Sequence, residues 1–110
     1  MRLKNDTVNP LGLKTETLLA MTIASMVYQQ HGYTMRVTSI TDYKHSATFS
    51  DHYKGYAFDI GTSELKEDDK VTIFDEICDR LNNQYNVLFE GAGTPSEHIH
   101  IAFKPRYQGR

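Results

Sequence analysis

Tyr56-Ala57-Phe58-Asp59-Ile60 and, about forty residues on, His98-Ile99-His100-Ile101-Ala102-Phe103 decide the fold. Both stretches alternate between two kinds of side chain, and a period of two means a strand whose successive residues face opposite sides of a sheet. Tyr56, Phe58 and Ile60 in the first stretch, and Ile99, Ile101 and Phe103 in the second, read as core. Ala57 and Asp59 share the other face of the first strand, and His98, His100 and Ala102 share that of the second. If the two strands pair, Asp59 and His100 converge on one point while the apolar sets pack behind them. Ala57 and Ala102 then leave room for a substrate beside them.

The remaining elements follow outward from this pair. Thr15 can cap a helix running to about residue 30, with Leu19, Ile23, Met26 and Val27 on its core face and His31-Gly32 closing it. Residues 34–40 are rich in β-branched side chains and predict a strand. Residues 41–55 form a loop long enough, for a small domain, to belong with function. The acidic run Glu64, Glu67, Asp68 and Asp69 suits the amino terminus of a helix over about 68–82. In that helix Phe74, Ile77, Cys78 and Leu81 recur at helical spacing, which makes Cys78 a packing thiol rather than a nucleophile. Residues 85–89 predict a strand before the Gly91–Ser96 turn. The order α-β-loop-β-α-β-β is that of an α+β domain, an antiparallel sheet with flanking helices. Residues 1–14 read as an irregular lead-in and residues 104–110 as a basic tail.

A chain of 110 residues with 39% hydrophobic content can build one modest core, hence one domain over residues 1–110. A net charge of −2 gives no electrostatic case for nucleic acid or an anionic membrane as partner. A single cysteine excludes an internal disulfide framework. No apolar run is long enough to span a bilayer and no signal-peptide pattern opens the chain. A monomer is expected, either cytoplasmic or released or delivered to the cell wall by another factor.

The chemistry lies in Ser50-Asp51-His52-Tyr53-Lys54-Gly55-Tyr56-Ala57-Phe58-Asp59 and Glu97-His98-Ile99-His100. Neutral imidazole and ionised carboxylate are the ligands of a hydrolytic zinc, and three protein ligands leave a fourth position for water. His52, Asp59 and His100 are the candidate three. Glu97 is the candidate acceptor for the proton of a zinc-bound water whose pKa the metal has lowered. In an unbroken strand Glu97 would point away from His98 and His100, so its role requires the Gly91–Ser96 loop to turn it inward. His98, on the ligand face, is a candidate for supporting the ligands or the transition state, and Ser50 for orienting ligand or substrate.

The run S-x-H-x-x-G-x-A-x-D followed by E-x-x-H resembles the zinc D-alanyl-D-alanine carboxypeptidase family, which includes cell-wall carboxypeptidases, vancomycin-resistance dipeptidases and phage endolysins. The resemblance spans roughly residues 34–103. It implies His52, Asp59 and His100 as zinc ligands, Glu97 as catalytic base, and a fold like the amino-terminal domain of Hedgehog. It further implies a peptidoglycan-derived peptide as substrate. Family members carry an arginine shortly before the S-x-H segment that grips the substrate carboxylate. Here Val37-Thr38-Ser39 is followed by Tyr43-Lys44, so Lys44 is the cation assigned to that contact, as a point charge rather than a fork. The His-x-His pair also resembles the Hedgehog branch, which keeps the metal without clear peptidase activity. That branch supplies the alternative expectation, a non-catalytic zinc-containing binding module.

Overall fold

The computed structural model describes residues 1–4, 15–40 and 57–104. Its elements are β1 (Arg2–Leu3), α1 (Thr15–Gln30), β2 (Arg36–Ile40), β3 (Ala57–Gly61), α2 (Glu67–Leu81), a 3-10 turn (Asn82–Gln84), β4 (Tyr85–Glu90) and β5 (His98–Phe103). The strands form one sheet in the order β1-β2-β3-β5-β4. All neighbours are antiparallel except β1 and β2. The fold is therefore α+β. β5 lies between β3 and β4, so those two run parallel to each other with α2 as their crossover.

The two alternating stretches pair as strands. Phe58 faces Ile101 and Ile60 faces Ile99 in the β3–β5 register, and all four are buried. With Val37 of β2 they form the sheet's half of the core, on which α1 and α2 pack. Burying a side chain of this size contributes about 1.5–3 kcal/mol, which fixes the register, because a slip of one residue would expose the whole set.

The sequence reading placed α1 correctly, and of its expected core face Val27 is buried and Ile23 packs against the core, but Leu19 and Met26 do not. Its buried residues are Ala20, Met21, Ala24, Val27 and Tyr28 with Thr17 and Ser25, while Leu19 is 55% and Met26 45% exposed. Ala20 and Ala24 let the helix approach its neighbours closely. Tyr28 donates its hydroxyl to the Gly61 carbonyl at 2.8 Å, a bond that ties the helix to the end of β3 in one orientation. Burial pushes the Tyr28 phenol well above its ordinary pKa, so it remains a donor.

α2 carries Glu67, Asp68 and Asp69 in its first turn, opposite in sign to the helix terminus. It buries Ile73, Ile77 and Leu81 at helical spacing. Cys78 is half-buried, and burial, with Asp75 and Asp79 nearby, raises its thiol pKa, which disfavours the nucleophilic thiolate. The lead-in is not wholly irregular: Arg2 and Leu3 pair with Arg36 and Val37, through Arg2 N to Met35 O at 2.9 Å and Lys4 N to Val37 O at 2.8 Å. Two residues are too few to show a period, so the sequence carries no sign of β1. Residues 5–14 and 105–110 lie outside the described residues.

Candidate metal centre

The sheet's second face is covered by neither helix, and on it the polar members of the alternation line up. Asp59 stands opposite His100, Ala57 opposite Ala102 and Gly61 opposite His98. β4 adds Leu88 opposite His100 and Glu90 opposite His98. On the other flank β2 presents Ser39 opposite Asp59, after an irregularity between Val37 and Ser39. Such an extra residue bends a strand and re-aims its side chains.

Asp59 Oδ1 and His100 Nδ1 are 2.7 Å apart, each side chain about one quarter exposed. This contact, ahead of the opposing effect of burial, raises the His100 pKa above the ordinary imidazole value. A carboxylate oxygen and an imidazole nitrogen converging from adjacent strands are a donor set suited to zinc. Ligating one zinc, the two atoms would exchange their mutual contact for contacts to the metal. Among the described residues no group of three or more His, Cys, Asp or Glu is placed to hold a metal ion. His52, the third expected ligand, lies outside the described residues, as do Lys44 and Ser50.

His98 lies beside the pair, its Nε2 3.9 Å from Asp59 Oδ1. Its Nδ1 faces the Ser96 carbonyl at 2.7 Å and its Nε2 faces Glu90 Oε1 at 2.9 Å. Both partners are acceptors, so the two bonds form together only when both ring nitrogens carry a proton. Burial opposes a charge here, but Ser96, Asp59 and Glu90 outweigh it and raise the His98 pKa. Glu90 was missed from sequence: the alternation Asn86-Leu88-Glu90 puts it on one face of β4, but only the β4–β5 register shows that the face is this one.

Glu97 does not turn toward these residues. One position before His98, it takes the side of the sheet that carries the helices. Its Oε1 meets Lys70 Nζ of α2 at 2.9 Å, the buried Thr62 hydroxyl donates to the same oxygen, and Gly93 N donates to Oε2 at 3.1 Å. Gly91 and Gly93 have φ of 69° and 80°, conformations that give the loop its turn and that glycine adopts without steric cost. Lys70 first, then Thr62 and Gly93, lower the Glu97 pKa to about 2. A carboxylate so held is a weak proton acceptor at neutral pH. Lys70 and Thr62 carry no motif signal and were not foreseen.

No protein family, curated protein or solved structure matches the chain. Among the described residues no helix is long and apolar enough to cross a membrane.

Proposed function

We propose that this chain is a zinc-dependent metallopeptidase that hydrolyses a peptide bond in bacterial cell-wall peptides. The observation that carries the reading is the Asp59–His100 contact of 2.7 Å between β3 and β5, on the face the helices leave free. It joins two distant parts of the S-x-H-x-x-G-x-A-x-D and E-x-x-H pattern in one place. His52, Asp59 and His100 would hold the metal. Bound there, zinc would polarise the scissile carbonyl and acidify a water in its open position. Ala57 and Ala102 pair beside the ligands, the first buried and the second half-buried, and their small side chains add little bulk next to Asp59 and His100. His98, fixed at both nitrogens, presents its ring rigidly toward the same space. Glu97 is the proton acceptor in this reading, a role that requires its carboxylate to leave Lys70 and Thr62.

The placement of Glu97 favours a second reading, a zinc-holding binding module of the same fold without turnover. One experiment separates the two. The zinc-loaded chain is incubated with defined peptidoglycan fragments and the products are read by mass spectrometry. Cleavage that disappears in Glu97→Gln at unchanged zinc content supports the peptidase. Stoichiometric zinc with no cleavage of any fragment supports the module, and absence of zinc binding removes both.

A further inference from the structure

We propose that Lys70 is a positioning residue for the reaction: it holds the Glu97 carboxylate on the helix side of the sheet, and Glu67 is the alternative partner that lets it release that carboxylate to the site. The proposal rests on the peptidase reading above. Lys70 Nζ stands 2.9 Å from Glu97 Oε1 and 2.9 Å from Glu67 Oε2. The two carboxylates are not equivalent. The side chains of Lys70 and Glu97 are 12% and 10% exposed, whereas that of Glu67, three residues earlier on α2, is 87% exposed. A shielded pair is screened less by water and salt than an exposed one, so the Glu97 contact is the stronger of the two. Breaking such a pair is costly when it leaves a shielded charge without a partner. Here the departure of Glu97 leaves Lys70 on Glu67, and the freed carboxylate gains the cation expected at Asp59 and His100. Glu67, then Glu97, raise the Lys70 pKa, so the amine stays charged with either partner.

The backbone around Glu97 permits the exchange. The β5 ladder begins at His98, which faces Gly61 on β3 and Glu90 on β4, so turning Glu97 over breaks no cross-strand pair of that ladder. Its own N–H donates to the Thr94 carbonyl at 3.1 Å, within a loop whose residues 91–96 are all exposed. The Thr62 hydroxyl and the Gly93 N–H also hold the carboxylate, but both donors are neutral and neither matches the charge of Lys70. Lys70 is therefore the contact whose removal shifts the balance most, in keeping with its leading part in lowering the Glu97 pKa.

Gly93 N–H, which donates to Glu97 Oε2 at 3.1 Å, reports where the carboxylate stands through its hydrogen exchange, measured by NMR on the metal-free chain. Lys70→Met should speed that exchange by about tenfold, as expected for loss of one charge-assisted hydrogen bond, toward the rate found in Glu97→Ala. Lys70→Arg should return it toward the native rate. Glu67→Gln, a surface change that leaves the fold intact, should slow it, because Lys70 then has one carboxylate in place of two. On the zinc-loaded chain with defined peptidoglycan fragments kcat should move the same way, up by about tenfold in Lys70→Met and down in Glu67→Gln, with KM and zinc content unchanged. Opposite signs at these two residues are the signature of a balance between carboxylates, whereas a merely structural salt bridge would lower kcat in both. If the native chain cleaves but the two variants move exchange or kcat in the same direction, or not at all, the assignment is overturned while the peptidase reading stands. If neither the zinc-loaded native chain nor Lys70→Met cleaves any fragment, the peptidase reading itself falls and the control by Lys70 with it.

Discussion

At Asp59 and His100 one atom from each of two strands meets the other at 2.7 Å, and zinc retention should depend on both. His100→Ala leaves one expected ligand from β3 and one from the segment before it, too few for a closed zinc site. Elemental analysis after dialysis should find about one zinc per native chain and little in His100→Ala; full metal in the variant would place the site elsewhere. Glu97 yields a pH-dependent prediction. Its folded pKa is about 2 against an ordinary 4.5, so its ionised form stabilises the fold fully above the ordinary value, and that stabilisation is lost as pH falls through about 2. Glu97→Gln should therefore be less stable than the native chain at neutral pH, with the gap closing in acid. Urea melts across that window test it, and a gap independent of pH would mean that Lys70 and Thr62 gain nothing from the charge. The same variant should keep zinc yet lose hydrolysis by roughly 100-fold or more if Glu97 transfers the proton.

For β5, the two faces make opposite demands on substitution. Ile101 is fully buried against the helices, and Ile101→Ala should cost about 2–5 kcal/mol through lost transfer energy and the cavity left behind. Leu88, opposite His100 on β4, is 46% exposed, and Leu88→Ala should change stability by about 0.5 kcal/mol or less. Comparable losses at the two positions in denaturant unfolding would show that the sheet is covered on both sides. Strict alternation in β3 and β5 made these elements and their faces legible before any coordinates, since a period of two leaves no choice of face once one set is apolar. The rotation of α1 was not legible, because its sequence offers large apolar residues nearly all round, and the choice of Ala20, Ala24 and Tyr28 over Leu19 and Met26 was made by close packing and by the Tyr28–Gly61 hydrogen bond. Strand parity did announce that Glu97 would point away from the histidines. The expectation of an inward turn came from the resemblance, whereas the loop's glycines and Lys70 hold the carboxylate on the helix side. Glu90, Lys70 and Thr62 escaped notice for one reason: each makes its contact only through a cross-strand or helix-to-sheet register that no local pattern encodes.

For the whole molecule, the proposed zinc would cross-link positions far apart in the sequence. Asp59 and His100 belong to strands paired along five residue positions, while His52 belongs to the long segment between β2 and β3. A metal that binds this arrangement and not the unfolded chain stabilises the fold by mass action, about 2.7 kcal/mol when free zinc exceeds its dissociation constant a hundredfold. In a domain near this size each kcal/mol moves the thermal midpoint by about 4–8 °C, so removing a saturating metal should lower it by on the order of 10 °C. The gap should narrow as the solution is acidified through the histidine range, because protonated imidazole cannot ligate and metal affinity falls with pH. Thermal melts with and without a chelator, with metal content measured in both samples, decide the matter. A midpoint that stays unchanged once the metal is verified absent would mean that the apolar core between the sheet and the two helices holds the fold without the ion, and that a bound ion serves the peptide and not the structure.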